Sequence, residues 1–246
     1  MKTAPRQSKH PLHRLFRGAS LALALSLACS LPSTAQDLIT SAKFTEPTTR
    51  YAHGVLGDDV EYGAIELHIK ASDGSSQAIT LRLPETRVFE DLDPRLIDLD
   101  TDGAPEVVVV ESDTALGARL SVYGPKGLIA AIRHIGQRNR WLAPIGAADF
   151  DGDGFVEIGY IDRPHLAKTL RLWRFKDGKL TEIATKTGLT NHKIGWDFIA
   201  GGLRNCADAP EMITPDANWS RIIATAYDGT SLSTRDIGPY AGPQSL

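Results

Sequence analysis

Cysteine is almost missing from this chain of 246 residues: only Cys29 and Cys206 occur. Cys29 lies inside an N-terminal leader, so removal of that leader leaves one thiol and no intramolecular disulfide. The fold must then be held by its core, to which a bound metal could add. An excess of base is missing too. Of 27 Lys and Arg, five (Lys2, Arg6, Lys9, Arg14 and Arg17) fall in the first 35 residues, where there is no acid. The rest of the chain sets 22 basic against 30 acidic side chains, a formal charge of −8, which excludes the basic footprint of a nucleic-acid binder. Long apolar runs are absent after the leader, and the run inside it, ASLALALSLACSL, is about 13 residues, too short to span a bilayer. An integral membrane protein is not expected. Helical periodicity is poor throughout. The sequence also lacks GxSxG, HExxH, a phosphate loop and a catalytic carboxylate pair at a recognisable spacing.

What is present begins with the leader. Its basic start, apolar middle and small residues Ser33 and Ala35 read as a secretory signal peptide over residues 1–35, cleaved after Ala35. Residues 36–246 then form one exported domain, periplasmic or extracellular. A lipid on Cys29 is the competing reading, although Ser26 stands where such signals prefer a large aliphatic residue.

Self-similarity organises that domain. DLDTDGAPEVVVVES from Asp98 and DFDGDGFVEIGYID from Asp149 lie 51 residues apart, and both read DxDxDGxxE before an apolar strand. In NCADAPEMIT, Ala209, Pro210 and Glu211 match Ala104, Pro105 and Glu106, with Glu211 54 residues after Glu157. The acids of this third loop have decayed: Leu203 holds the first ligand position and Ala207 replaces an aspartate, so no ion is expected there. Four β-hairpins follow the same rhythm, with Gly-containing turns at SDGSS, GPKG, KDGK and YDGT. A further strand, such as WLAPIGAAD, precedes each acidic loop.

Units of about four antiparallel strands, repeated every 51 to 54 residues, cannot bury both faces alone and must pack against their neighbours. The expected fold is all-β, a β-propeller of about four four-stranded blades, either a small ring or a partial one completed by another copy in a homo-oligomer. A β-sandwich with a duplicated hairpin is the alternative. The two DxDxDGxxE loops at blade-like spacing resemble the FG-GAP or VCBS repeats of integrin-type β-propellers. That resemblance is specific at residues 98–106 and 149–157. It implies a propeller with calcium in inter-strand loops, and it implies no single activity.

The loops also carry chemistry of their own. Asp98, Asp100 and Asp102, and likewise Asp149, Asp151 and Asp153, place hard oxygens at alternate positions of a tight loop. Gly103 and Gly154 allow the bend, Ala104 and Phe155 can offer backbone carbonyls, and Glu106 and Glu157 close each cage. Calcium takes six to eight such oxygens in flexible geometry, so two structural calcium ions per chain are expected. An EF-hand is excluded, because Val109 and Tyr160 stand where a bidentate Glu would be. The absence of His and Cys from both loops argues against a transition metal. An ion-free solvated turn is the alternative.

Repeat offsets place Arg87, Arg138 and His192 at equivalent points before successive strands, with Asn139, Trp141 and Trp196 nearby. In a propeller these six could line one end of a central funnel, where Arg forks bind carboxylate or sulfate and Trp offers an apolar face. They could equally satisfy backbone groups and fill the space between blades. The functional expectation is a calcium-binding module recognising a protein or glycan. The second hypothesis is an enzyme acting on a polysaccharide or other anionic substrate in the same funnel.

Overall fold

The Gly-containing turns all join antiparallel strands, as the hairpin pattern requires. The structure, a computed structural model, describes residues 36–205 and 209–246. The leader, with Cys29 and the cleavage point after Ala35, and residues 206–208 of the third loop lie outside the described residues. Among the described residues the chain is all-β, with a single short 3-10 turn, Pro243–Ser245, and no α-helix. No helix there is long and apolar enough to cross a membrane.

The strands form three antiparallel sheets. The first contains β1 (Leu38–Thr48), β2 (Glu61–Lys70), β3 (Ser76–Arg82), β4 (Arg87–Phe89), β5 (Arg95–Ile97), β6 (Glu106–Asp113), β7 (Gly117–Gly124) and β8 (Gly127–Ala131). The second is a four-stranded meander of β9 (Leu142–Ala148), β10 (Glu157–Asp162), β11 (Thr169–Lys176) and β12 (Lys179–Thr187). The third repeats it with β13 (Gly202–Arg204), β14 (Glu211–Pro215), β15 (Arg221–Tyr227) and β16 (Leu232–Pro239). The β11–β12 turn shows why such sequences make tight hairpins. Asp177 and Gly178 both adopt left-handed backbone, with φ of 51° and 68°, and that pair of conformations matches the twist of the flanking strands.

The sequence spacing predicts two separate four-stranded units before β9, and the structure instead joins them in one eight-stranded sheet. The link is β4, which meets β2 at Tyr62 and Phe89 and pairs with β6 from Arg87 to Phe89. β4 and β5 together run along one edge of β6 as an interrupted first strand. Asp91 fills the interruption: its carboxylate accepts the Val110 N–H at 3.0 Å and holds Arg95 at 2.6 Å. A backbone group left open by the break is thereby satisfied.

Packing follows from strands that are apolar on both faces. Val107 to Val110 are four consecutive buried valines in β6, the signature of a strand covered on both sides. Val107 and Val109 meet Ile65, Leu67 and Ile69 of β2, whereas Val108 and Val110 meet Trp141, Leu142, Ile158 and Tyr160. β10 repeats the arrangement, with Ile161 turned to a third cluster that contains Leu172, Met212, Tyr227 and Leu232. Full burial of each such side chain contributes about 1.5–3 kcal/mol. On β2 the alternate residues Glu66, His68 and Lys70 face outward and give this end of the array a polar surface.

Where β7 starts, backbone meets backbone. Ala118 N–H bonds Arg140 O at 2.8 Å, and Gln137 N–H bonds Leu116 O at 2.9 Å. A Cβ on Gly117, whose φ is 73°, would lie 2.2 Å from Gln137 O and 2.8 Å from Arg140 O. Gly178 has nearly the same φ, 68°, yet a Cβ there meets nothing nearer than 3.7 Å. Gly178→Ala should therefore cost only the conformational strain of about 1–2 kcal/mol, whereas Gly117→Ala adds overpacking of about 1–3 kcal/mol. Urea denaturation of both variants checks this. Equal losses would show that the 137–140 segment yields freely.

Candidate functional site

The two acidic loops share four internal hydrogen bonds, and the second adds two more, from the Gly152 N–H to Asp149 and from the Asp153 N–H to Asp151, at 2.7 and 3.4 Å. In the first, Asp98 accepts the N–H groups of Asp102 and Gly103 at 3.1 and 3.0 Å, Asp102 accepts that of Ala104 at 2.9 Å, and Glu106 accepts that of Leu99 at 2.9 Å. In the second, Asp149 accepts Asp153 and Gly154, Asp153 accepts Phe155, and Glu157 accepts Phe150, at 3.2, 2.9, 3.0 and 3.0 Å. The bends match as well, since Thr101 and Gly103 are left-handed where Gly152 and Gly154 are. Carboxylate oxygens of Asp98, Asp100 and Glu106, and of Asp149, Asp151 and Glu157, converge within 4.8 Å of one another. Both groups could hold a metal ion. Asp102 and Asp153 each spend one oxygen on a backbone N–H and fall outside these triads.

The electrostatics of the two loops differ. At the second, Arg174 of β11, paired across the ladder with Glu157, sends its guanidinium into the acids. It lies 2.7 Å from Asp151, 2.8 Å from Asp153 and 2.7 Å from Glu157. Burial pushes Glu157 up from the usual carboxylate range, and the Arg174 contact opposes that rise. The cross-strand neighbour of β6 at the equivalent position is Gly124, one step beyond the Val107–Tyr123 pair, so no guanidinium enters from that strand, and none among the described residues forms an ion pair with these acids. Burial and the charges of Asp100 and Asp102 push Glu106 up to about 7, although the Leu99 N–H opposes them. Asp100 is raised by burial and then by Asp102. Asp102 is held low, chiefly by a hydrogen bond from Gln36. Hard oxygen donors with uncompensated charge are the donor set that calcium suits.

The six residues expected at a funnel separate into different environments. Arg87 lies on β4, with its guanidinium 3.5 Å from the buried Glu111 carboxylate, which Arg119 also binds at 2.7 Å. Arg138 lies over the Tyr51 ring at 5.9 Å. Asn139 and Trp141 line a cavity of about 430 Å³. His192 is 1% exposed and sits behind that cavity, 4.9 Å from the Trp141 ring, with Nδ1 at 3.1 Å from His165 and Nε2 at 2.9 Å from the Trp196 carbonyl. Trp196 stacks on Phe198 at 4.4 Å and meets Trp219 edge-on.

The cavity also has walls that repeat spacing did not reveal: His53, Arg140, Arg163, His165, Leu166 and Ile194. His53 is fixed by a buried acid, its Nδ1 lying 2.5 Å from Glu90, which also accepts the Ser112 hydroxyl. Burial pushes Glu90 up, against the pull of His53 and Ser112. Trp141 donates its indole N–H to the Glu90 carbonyl at 2.8 Å. His53 and His165 lie in loops that lack an acidic repeat, which is why offsets missed them. The only signal was two histidines in a chain with seven.

Burial, with His192 and His53 beside it, pushes His165 down to about 4. The folded value lies below the usual value near 6.5, so the unfolded chain binds the proton first on acidification. Stability carried by neutral His165 should be complete above about pH 6.5 and be lost progressively towards pH 4. Denaturation midpoints of the protein and of His165→Gln across that window check this. Parallel pH slopes would show that His165 carries no such load.

The search of curated proteins finds no match to the chain. Residues 98–160, which run from the first acidic loop through the second and into β10, match the family of the FG-GAP-like repeat. The stretch that carries both candidate metal centres is thus similar to the FG-GAP-like repeat.

Proposed function

We propose that the chain is an exported, calcium-stabilised interaction module of β-propeller type that binds a protein or glycan partner. The observation that carries this reading is the pair of acidic loops, which share four backbone-to-carboxylate hydrogen bonds and lie 51 residues apart, within a stretch that matches the FG-GAP-like repeat. Repeated antiparallel sheets that bury both faces against their neighbours support the propeller architecture. The leader supports export.

Calcium suits these loops because the ligands are hard oxygens on a bent backbone. Asp98, Asp100 and Glu106 would hold one ion and Asp149, Asp151 and Glu157 the other, with Asp102, Asp153 and the carbonyls of Ala104 and Phe155 as the remaining candidates. An ion there offsets carboxylate repulsion and fixes the entry to β6 and β10, which is a structural role. Arg174 makes the two sites unequal. At the second loop a cation competes for a place already held by a guanidinium, whereas the first loop has no internal counter-charge of that kind.

Calcium titration of the chelator-stripped protein should therefore show two sites, the tighter at the first loop. Asp100→Ala should remove the tighter site and Asp151→Ala the weaker. Arg174→Met should strengthen the weaker by on the order of tenfold, because affinity follows the net charge of the ligand set. At a hundredfold excess over Kd, each ion should stabilise the fold by about 2.7 kcal/mol, read as a rise in melting temperature that chelator reverses. Heats absent from the titration, or unchanged by either aspartate variant, would refute calcium binding at these loops.

A further inference from the structure

The cavity at Trp141 takes its lining from four separate segments of the chain. His53 approaches from the segment before β2, Asn139, Arg140 and Trp141 from the segment before β9, Arg163, His165 and Leu166 from the β10–β11 loop, and Ile194 from the segment before β13. It brings two guanidinium groups, two imidazoles and an amide together, with no carboxylate among its described walls. Arg163 shares Asp162 with Arg171, at 2.8 and 3.0 Å, so two cations meet one acid. Arg140 has no carboxylate partner among the described residues, and its recorded bond runs from Nη1 to the Asn139 carbonyl at 2.8 Å. With His53 Nδ1 turned to Glu90, Nε2 is the ring nitrogen left for the cavity.

The walls are also apolar where they are not cationic. Trp141 and Val55 are buried in the floor. Leu166 and Ile194 stand at 62% and 71% exposure, the highest values among the exposed large hydrophobic residues, and both border this cavity. Two aliphatic side chains left in water beside Arg140, a guanidinium with no acid partner among the described residues, fit a ligand that covers the first and pairs with the second. Asn139 and Arg163 on the rim hold left-handed backbone, with φ of 55° and 45°. Asn adopts this conformation readily, but for Arg163 it is strained, and such strain collects at ligand-binding positions.

We propose that this cavity binds a small organic carboxylate with an aliphatic body. The carboxylate is taken by the Arg140 fork, with Arg163 and His53 beside it, and the aliphatic part lies on Trp141 between Leu166 and Ile194. Arginine presents paired donors that match a carboxylate plane, and a concave, largely apolar site with a few convergent polar groups is the form small-ligand sites take. The proposal rests on the reading of the chain as a binding module and names the ligand class for one of its surfaces.

Isothermal titration with octanoate tests it, with octylamine and acetate as controls. Binding of octanoate, but not octylamine, should weaken by about tenfold or more in Arg140→Gln, and should weaken also in Leu166→Ser, while acetate binds more weakly than octanoate. Both side chains lie outside the core, and melting temperatures of the variants confirm that they fold. Absence of octanoate binding, equal binding of octylamine, or unchanged affinity in Arg140→Gln overturns the proposal. Calcium is titrated into the same protein preparation: if calcium raises its melting temperature and octanoate fails to bind, the cavity proposal falls and the calcium reading stands.

Discussion

A buried glutamate opens each of four strands spaced along the chain, and compensating its charge shapes what surrounds it. Glu61 begins β2, Glu106 β6, Glu157 β10 and Glu211 β14, and all four are buried. A carboxylate taken from water must be neutralised, paired or given donors. The four glutamates are accommodated in different ways. Burial and the nearby charges of Glu90, Asp58 and Asp91 push Glu61 up to about 9, so it stays protonated at neutral pH. Glu106 accepts the Leu99 N–H and faces the aspartates of its loop without a basic partner in the ladder. Glu157 keeps the equivalent bond to Phe150 and adds Arg174. Glu211 is bound by Arg204 and by Arg235, the latter at 2.8 Å.

This constraint links the loop to the sheet. In the second and third units, the glutamate's bond to Leu99 or Phe150 ties the acidic loop to the strand that follows it. Those two residues are apolar and buried, Leu99 in the cluster between the first two sheets and Phe150 in the cluster between the last two. The acidic loop therefore sits at the edge of an inter-sheet core, and its charge bears directly on how well the sheets stack. That is the physical reason for giving a bound cation a structural role.

The same stacking brings distant segments together at the Trp141 cavity. Trp141 reaches across to the Glu90 carbonyl, Asn139 N–H bonds the Tyr51 hydroxyl at 2.8 Å, and Asn191 donates to the Ala143 carbonyl at 3.1 Å. The lead-in segments of successive units are thus held to one another by buried polar groups as well as by apolar contact. A cationic, partly apolar concavity results where these segments meet.

By itself the sequence determined the hairpins, the acidic loops and their spacing, because each depends on neighbours in the chain. Asp-Gly at residues 177 and 178 specifies a tight turn, and DxDxDGxxE specifies a bent loop that draws its first two Asp and its Glu together, whatever lies beyond it. The first unit was legible only as a hairpin, through its SDGSS turn, because no acidic loop of that pattern precedes it. Only the tertiary structure decided which charges meet. Arg174 enters the second loop through the β10–β11 register, and nothing in its local sequence marks it as the partner of Asp151. His53, Arg140 and His165 share one cavity because three strand units stack there, and His192, read as a ligand contact, is buried behind it. Periodicity reports which face of a strand is apolar; the side chains that converge at a loop end depend on how one sheet is rotated and set against the next.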